Sequence, residues 1–360
     1  MIKKNSQSYR LMALVAMSGE CSVEALGILM PQESYRKKLL MQLVRDKWIR
    51  LYEKDGLRGY RLSRRGKDLL LQIDGERFGF FLEDGADAAM RRSKLVQRER
   101  QHRISESLAM MESSDTEIFR DRKKKMFEYS REKIGEIAQS AFFVPKEVKA
   151  QSELTRKIIN SKLTGVWLTE SAVWICYNMG THLINWYENV EQRADILVRS
   201  ILKMQGIKHE TSSMILFGHS MEQALYCLDD PKTNAYIMNS FFERVCFIPL
   251  NEYGEPLLRL IGDADMYEHL LNSLKEDLQE ENLGRIECDG FDPDGRYVLI
   301  CTDMDMKRLI WFNTQMRYIK REGEVYCFGF QKDAIRSFCG ENIRVTEIDL
   351  DVVKDVFGFD

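Results

Sequence analysis

The chain has 360 residues, 44% of them hydrophobic, and a formal net charge of −3. That length exceeds one ordinary hydrophobic core and predicts two domains, and no run of 18 uncharged apolar residues is present to span a bilayer as a helix. The small net charge conceals a split: residues 1–150 carry 31 Lys+Arg against 22 Asp+Glu, and residues 151–360 carry 22 against 34, so a basic half suited to polyanions precedes an acidic half that is not.

The start, "MIKKNSQSYRLMALVAMSGE", sets basic residues before a short apolar run without a small-residue cleavage site. It reads as an amphipathic helix rather than a signal peptide. Leu11, Leu14 and Val15 recur at helical spacing, and Gly19 stops them. Ser22 is a good N-cap for "SVEALGILM", which is expected to bury Val23, Leu26 and either Ile28 or Leu29. A third helix is predicted over 31–48, with Tyr35, Leu39, Leu40, Leu43 and Val44 as its apolar stripe. "IRLYE" and "GYRLS" can pair as antiparallel strands around Asp55-Gly56, a dipeptide that favours tight hairpin turns. Ser63 then caps a helix carrying Leu69, Leu70 and Ile73.

Three helices, a hairpin and a closing helix resemble the winged helix-turn-helix family across residues 8–74. Trp48-Ile49 leads into the hairpin, and "GYRLSRRGKDLL" leaves it. That exit is similar to the "Y-x-L-T-x-x-G" pattern of winged bacterial regulators, with Ser63 in place of Thr. The resemblance implies that the third helix enters a DNA major groove and the hairpin touches the neighbouring backbone. Phosphates need cations or N–H donors, and base edges need Arg, Lys, Asn, Gln or Ser. The third helix offers Ser34, Arg36, Lys37, Lys38, Gln42 and Arg45; the hairpin and its exit offer Lys54, Arg58, Arg61, Arg64 and Arg65. The competing reading is a protein-binding helix with a solvated basic face.

Helices are predicted over 90–111 and 117–138, both rich in Arg and Lys, either extending a DNA footprint, forming a dimer or connecting domains. His102 reads as structural. The succession of a winged helix, "QRERQHRISESLAMM" and "SKLTGVWLTESAVWICYNMGTHLINW" is similar to proteins of bacterial conjugative elements and plasmids grouped in the replication-relaxation family. It implies service to mobile DNA and supplies no catalytic residue. The expected fold class is α+β, with an N-terminal winged helix-turn-helix (1–80), a basic helical connector (81–150) and an acidic mixed α/β domain (151–360).

In the acidic domain, "TGVWLTESAVWICYN" predicts a hairpin turning near Glu170-Ser171. Helices are expected at 191–204, 220–228, 264–279, 304–317 and 350–356. Strands are expected at 213–218, 245–250, 256–262, 295–302, 324–330 and 343–349. "FGHSMEQ" imitates a nucleophile elbow, but Glu222 stands where glycine is required, so Ser220 reads as a helix cap. "CDGFDPDG" departs from a calcium loop, with Cys301 at the position that needs Glu. Glu287 and Asp289 could begin a metal-dependent nuclease site with Asp263 or Asp265, but no lysine follows at the alternate positions. The eight cysteines form no C-x-x-C pair and read as free thiols in a reducing cytoplasm. No phosphate-binding loop of the G-x-x-x-x-G-K-[ST] type occurs.

The sequence therefore predicts a cytoplasmic, non-enzymatic, sequence-specific binder of double-stranded DNA, in transcription regulation, plasmid replication or transfer. No cofactor, metal or membrane contact is expected. The acidic domain would form a homodimer or other oligomer, sense a ligand or recruit a protein partner. The alternatives are a metal-dependent DNA-processing enzyme and a protein-binding adaptor.

Overall fold

Ser6 opens the first helix, α1 (Gln7–Ser18), by accepting the Tyr9 N–H on its hydroxyl at 3.3 Å, and Gly19 closes it at a φ of 83°. Ser22 does the same for α2 (Val23–Leu29), accepting from Ala25 N–H at 3.0 Å. The third helix, α3 (Glu33–Arg45), buries only Leu39, Leu40 and Leu43. The expected stripe was too wide: Tyr35, Val44 and, on α2, Val23 are exposed. The computed structural model describes residues 2–82, 94–128, 139–150, 160–180, 186–207, 209, 211–231, 233, 238–279 and 286–358. Its class is mixed α+β with several sheets. The chain divides into two compact units.

The first unit comprises Met1–Leu168, Cys176–Asn178 and Ser200–Lys208. Its hairpin pairs β2 (Ile49–Lys54) with β3 (Leu57–Leu62) from Ile49↔Leu62 to Lys54↔Leu57. The two-residue turn has φ of 55° at Asp55 and 75° at Gly56, which is the mirror-image turn that matches strand twist. A two-residue strand, β1 (Cys21–Ser22), pairs with β3 on its other side. Ser63 then accepts Gly66 N–H at 3.0 Å and opens α4 (Arg64–Leu82). A side chain at Gly66 would place its Cβ 2.0 Å from the Trp48 carbonyl oxygen, so only glycine permits this approach of helix to hairpin.

α4 is kinked at Asp74, whose φ and ψ are −154° and 66°. The Asp74 carboxylate there accepts from Tyr9 Oη at 3.0 Å and pairs with Lys4 at 2.7 Å. The next helix, α5 (Leu95–Ser113), packs on α1 and α2 and buries Ser105, Leu108, Ala109, Met110 and Met111. It belongs to the first unit's core, although the sequence assigns it to a connector. The helix expected over 117–138 does not form in its described part, 117–128. Those residues make turns and a single bridge from Glu117 to Ala141; residues 129–138 lie outside the described residues. Lys123 explains the irregularity. Its ammonium is buried and donates to the carbonyls of Ile118 and Phe142 and to Glu147 at 2.9 Å. A helical segment with its lysines in solvent could not fold around a buried cation in this way. Beyond it, β4 (Ala141–Phe143) pairs antiparallel with β5 (Gly165–Leu168), and β6 (Val173–Asn178) follows in the chain.

Three charged groups and a histidine lie buried together in this unit. Glu20, fully buried, receives Arg61 Nη2 at 2.7 Å, Arg98 Nη2 at 2.7 Å and His102 Nε2 at 2.9 Å. Arg98 also donates to the main-chain carbonyls of Lys54 (2.6 Å), Leu57 (2.9 Å) and Tyr52 (3.2 Å). The Tyr52 ring lies under both guanidinium groups, 3.9 Å from Arg61 and 4.6 Å from Arg98. Gly59 makes room for them, because a Cβ there would come within 2.5 Å of His102 Nε2.

The second unit comprises Thr169–Ile175, Met179–Arg199 and His209–Asp360. Here β7 (Ser213–Gly218) and β8 (Val245–Pro249) run parallel. A four-stranded sheet has the order β12-β11-β10-β9, from β12 (Ile343–Ile348), β11 (Gly323–Phe328), β10 (Tyr297–Ile300) and β9 (Gly290–Phe291). The strand expected over 256–262 is instead a helix, Gly254–Gly262. A short apolar run suits either element, and burial of Leu257, Leu258, Leu260 and Ile261 at helical spacing decided it. The helices expected near 220–228, 264–279, 304–317 and 350–356 occur at Met221–Asp229, Ala264–Lys275, Met306–Ile319 and Leu350–Phe357.

Burial by itself raises the Glu20 carboxyl, yet hydrogen bonds from His102, Arg98 and Arg61 outweigh it and pull the group down from 4.5 to about 2. A depressed carboxyl stabilises the fold above its ordinary value, and that stability is lost as pH falls through the folded value. Urea midpoints should therefore fall between pH 4.5 and about 2. Glu20→Gln should remove this dependence and, by leaving two buried guanidinium groups without their anion, cost about 3–5 kcal/mol at neutral pH. Urea melts of both proteins at several pH values check it.

Candidate nucleic-acid interface

The outward side of α3 carries Ser34, Lys37, Lys38, Gln42 and Arg45, all exposed. Lys37 pairs with Glu33 at 2.5 Å and Arg45 with Asp46 at 3.5 Å, both in solvent. Arg36 turns back instead. Its Nη1 donates to the Met30 and Pro31 carbonyls, so it closes the end of α2 rather than facing outward. On the hairpin, Lys54 and Arg58 flank the turn and are exposed, as are Arg64 and Arg65 at the start of α4. Arg65 lies over the Trp48 ring, 4.5 Å from its centroid.

Arg61 is a correction. The sequence groups Arg61 with the outward cations of the hairpin and its exit, but Arg61 is 5% exposed and bonded to Glu20. It holds the hairpin and reaches no external anion. Three cations that were not selected from the sequence join the surface. Lys3 and Lys47 line, with Arg45, Trp48 and Arg65, a groove of about 650 Å³ beside the end of α3. Arg50 is exposed on β2. Lys47 has a φ of 59°, the left-handed turn by which the chain leaves α3 for β2.

The ion pairing of this face differs from that of the interior. Arg10 binds Glu112, Arg77 binds Asp121, Lys123 binds Glu147, and Arg61 and Arg98 share Glu20. Among the described residues no carboxylate pairs with Lys38, Lys47, Arg50, Lys54, Arg58, Arg64 or Arg65. Glu53 lies opposite Arg58 in register without closing an ion pair. Such a surface can accept several phosphates, and α3 presents amide, hydroxyl and ammonium groups of the kinds that bond base edges. No family model, curated protein or solved structure matches the chain.

The second unit holds the carboxylates considered for metal chemistry. Glu287 and Asp289 do come together, but around a cation of the protein. Arg308 Nε donates to Glu287 at 2.7 Å, and its Nη2 reaches both Asp289 oxygens at 3.0 Å. Asp289 also accepts Ile300 N–H at 2.7 Å. Asp263 caps the helix 264–275 by accepting Met266 N–H at 2.9 Å. Ser220 caps the helix 221–229, accepting Gln223 N–H at 3.2 Å and donating to Glu222. In the acidic loop Arg296 bridges Asp292 and Asp294.

A grouping with no sequence signal joins β8 to the loop after β10. Cys246, Asp303 and Asp305 bring one ligand atom each within 4.8 Å of one another, all buried. Their spacing resembles a metal site, but the donor set does not fit one well, because Arg244 supplies the positive charge. Its Nη2 donates to Asp303 at 2.6 Å, and its Nε is 4.0 Å from Asp305. Asp305 also accepts Val245 N–H at 3.2 Å and Lys307 N–H at 3.1 Å, capping the helix 306–319. Burial raises both carboxyls. Arg244 and Arg308 bring Asp303 below its ordinary value, whereas the charge of Asp303 adds to the rise of Asp305.

Arg244→Ala should leave this pair of buried carboxylates without their counter-ion and cost about 3–5 kcal/mol. Arg244→Lys should recover only part of that, since an ammonium cannot reproduce the fork. Denaturant melts of the two variants measure both effects.

Proposed function

We propose that this protein binds double-stranded DNA through α3 and the β2–β3 hairpin, without catalysing a reaction on it. The observation that carries the reading is the cluster of seven Lys and Arg side chains on that face without carboxylate partners among the described residues. A fold that neutralises its interior cations one by one, yet leaves these open, is suited to a polyanion. The resemblance to winged helix-turn-helix proteins supports the same docking, with α3 in the major groove and the hairpin along the backbone. Within it, Ser34, Lys38 and Gln42 face base edges. Lys47, Lys54, Arg58, Arg64 and Arg65 face phosphates.

Gene regulation and the maintenance or transfer of a bacterial mobile element are the roles this activity would serve, in keeping with the looser likeness to the replication-relaxation family. The acidic second unit would then bind a protein partner or a second copy, since its charge opposes contact with DNA. A protein ligand on α3 is the competing reading. It is favoured by Tyr35, Met41 and Val44, which are 45%, 73% and 39% exposed on the same helix.

Binding of the full chain to selected and scrambled duplexes over a salt series separates the two. Arg58→Ala and Arg64→Ala should each weaken binding to all sequences alike and flatten the log–log salt slope by about one unit. Gln42→Ala should cost about 1–3 kcal/mol at its matched base pair and relax preference there. Arg61→Ala should lower the melting temperature through the loss of its bond to Glu20. Hairpin variants with unchanged affinity and slope would leave the face to a protein partner.

A further inference from the structure

Asp303 and Asp305 are 2% and 1% exposed, and each brings a carboxylate oxygen within 4.8 Å of the other. The cations around them do not serve both. Arg244 Nη2 donates to Asp303 Oδ2 at 2.6 Å, but Arg244 Nε stays 4.0 Å from Asp305 Oδ2, too far for a hydrogen bond. Arg308, the other arginine facing the pair, directs its fork to Glu287 and Asp289. The four carboxylate oxygens are therefore used unequally. Both oxygens of Asp303 accept, Oδ1 from Asp305 N–H at 3.0 Å and Oδ2 from Arg244. Asp305 Oδ1 accepts Val245 N–H and Lys307 N–H, whereas its Oδ2 is buried with no hydrogen-bond partner among the described residues. An ionised oxygen buried without a donor is costly, but a protonated one is a neutral hydroxyl that needs only an acceptor. The charge of Asp303 close by favours that proton.

We infer that Asp303 and Asp305 hold one proton between them, resident on Asp305 Oδ2, and that this proton fastens the loop after β10 to the edge of β8 away from β7, so that the junction loosens when the proton is lost. The junction consists of the Val245 N–H bond to Asp305, the Phe247 N–H bond to the Met304 carbonyl at 3.1 Å, and the bridge between Cys246 and Asp305. The groups that face the pair are Arg244 and Cys246 from the β8 side, Cys301 just after β10, Tyr267 from the helix 264–275 and Arg308 from the helix 306–319. Burial pushes both thiols and the phenol up, which keeps them neutral, and the arginines stay charged. Only the two carboxyls are left to change charge. Burial first, then the charge of Asp303, raises Asp305 from 3.8 to about 6. The folded chain thus keeps a proton that the unfolded chain has lost, and this pair lowers stability as pH rises from 3.8 to about 6. Glu20 acts in the opposite sense, at lower pH.

Asp305→Asn tests the latch, because its amide places N–H groups where the proton resides and keeps an acceptor at Oδ1. In urea melts of the full chain from about pH 4 to about pH 8, the wild-type midpoint should fall toward pH 6 and then level, whereas the Asn variant should lack this fall and be the more stable protein at neutral pH. Carboxyl-carbon NMR of wild type labelled at Asp should show one carboxyl titrating near pH 6, and that signal should be missing from the variant. Exchange of the Phe247 amide, corrected for its intrinsic pH dependence, should quicken about tenfold in wild type across the same titration and stay constant in the variant. A wild-type spectrum with no Asp carboxyl titrating near 6, or an Asn variant less stable than wild type at neutral pH, would overturn the shared proton. Phe247 exchange that ignores the titration would overturn the latch.

Discussion

The first unit depends on one buried carboxylate. Glu20 lies just before β1, and through Arg61 and Arg98 it joins the hairpin to α5. Neither arginine could be buried alone, since the desolvation of a guanidinium is not recovered without an anion. Their arrangement is a mutual requirement: the carboxylate needs donors on several sides, and the arginines need its charge. Gly59, Tyr52 and His102 fit around that requirement by leaving space, offering a ring face and adding a third donor. The position of the external basic face follows, because the strands that carry it are fixed from behind.

Local signals in the sequence were reliable where local physics decides. Ser22, Ser63 and Ser220 all cap helices, and Asp55-Gly56 makes its turn. What escaped was contact between distant residues. Glu20 and Arg98 are separated by 78 positions, and nothing in the sequence near either announces the other. Arg58 and Arg61 stand three positions apart on one strand, so alternation sets them on opposite faces, but only the fold shows that the face of Arg61 meets Glu20. The basic character of 117–128 suggested a solvated helix. A single lysine drawn inward by Glu147 was enough to make that segment irregular. The 256–262 stretch failed differently, because its apolar run is compatible with strand or helix until its neighbours are known.

Acidic residues in the second unit show how misleading a carboxylate count is. Glu287, Asp289, Asp292, Asp303 and Asp305 all occur within twenty residues. Arginines from the same unit hold them: Arg308 the first two, Arg296 Asp292, and Arg244 Asp303. Asp305 caps a helix. The same chemistry that would attract a divalent ion is used to tie loops to helices. The candidate interface was legible as a list of cations, but which of them remain open to solvent depended on the placement of every acid.

The grip of Arg98 on the hairpin has a consequence for how this protein can change. Arg98 bonds the carbonyl oxygens of Tyr52, Lys54 and Leu57, groups that every residue type possesses. The side chains at positions 53, 54 and 58 contribute nothing to it. The hairpin's length and turn are therefore held under tight constraint, whereas the identity of the groups it displays is not. Successive substitutions at the tip can alter the chemical groups it displays while the scaffold keeps its shape. A single inserted residue, by shifting the three carbonyls out of reach of one guanidinium, would undo it.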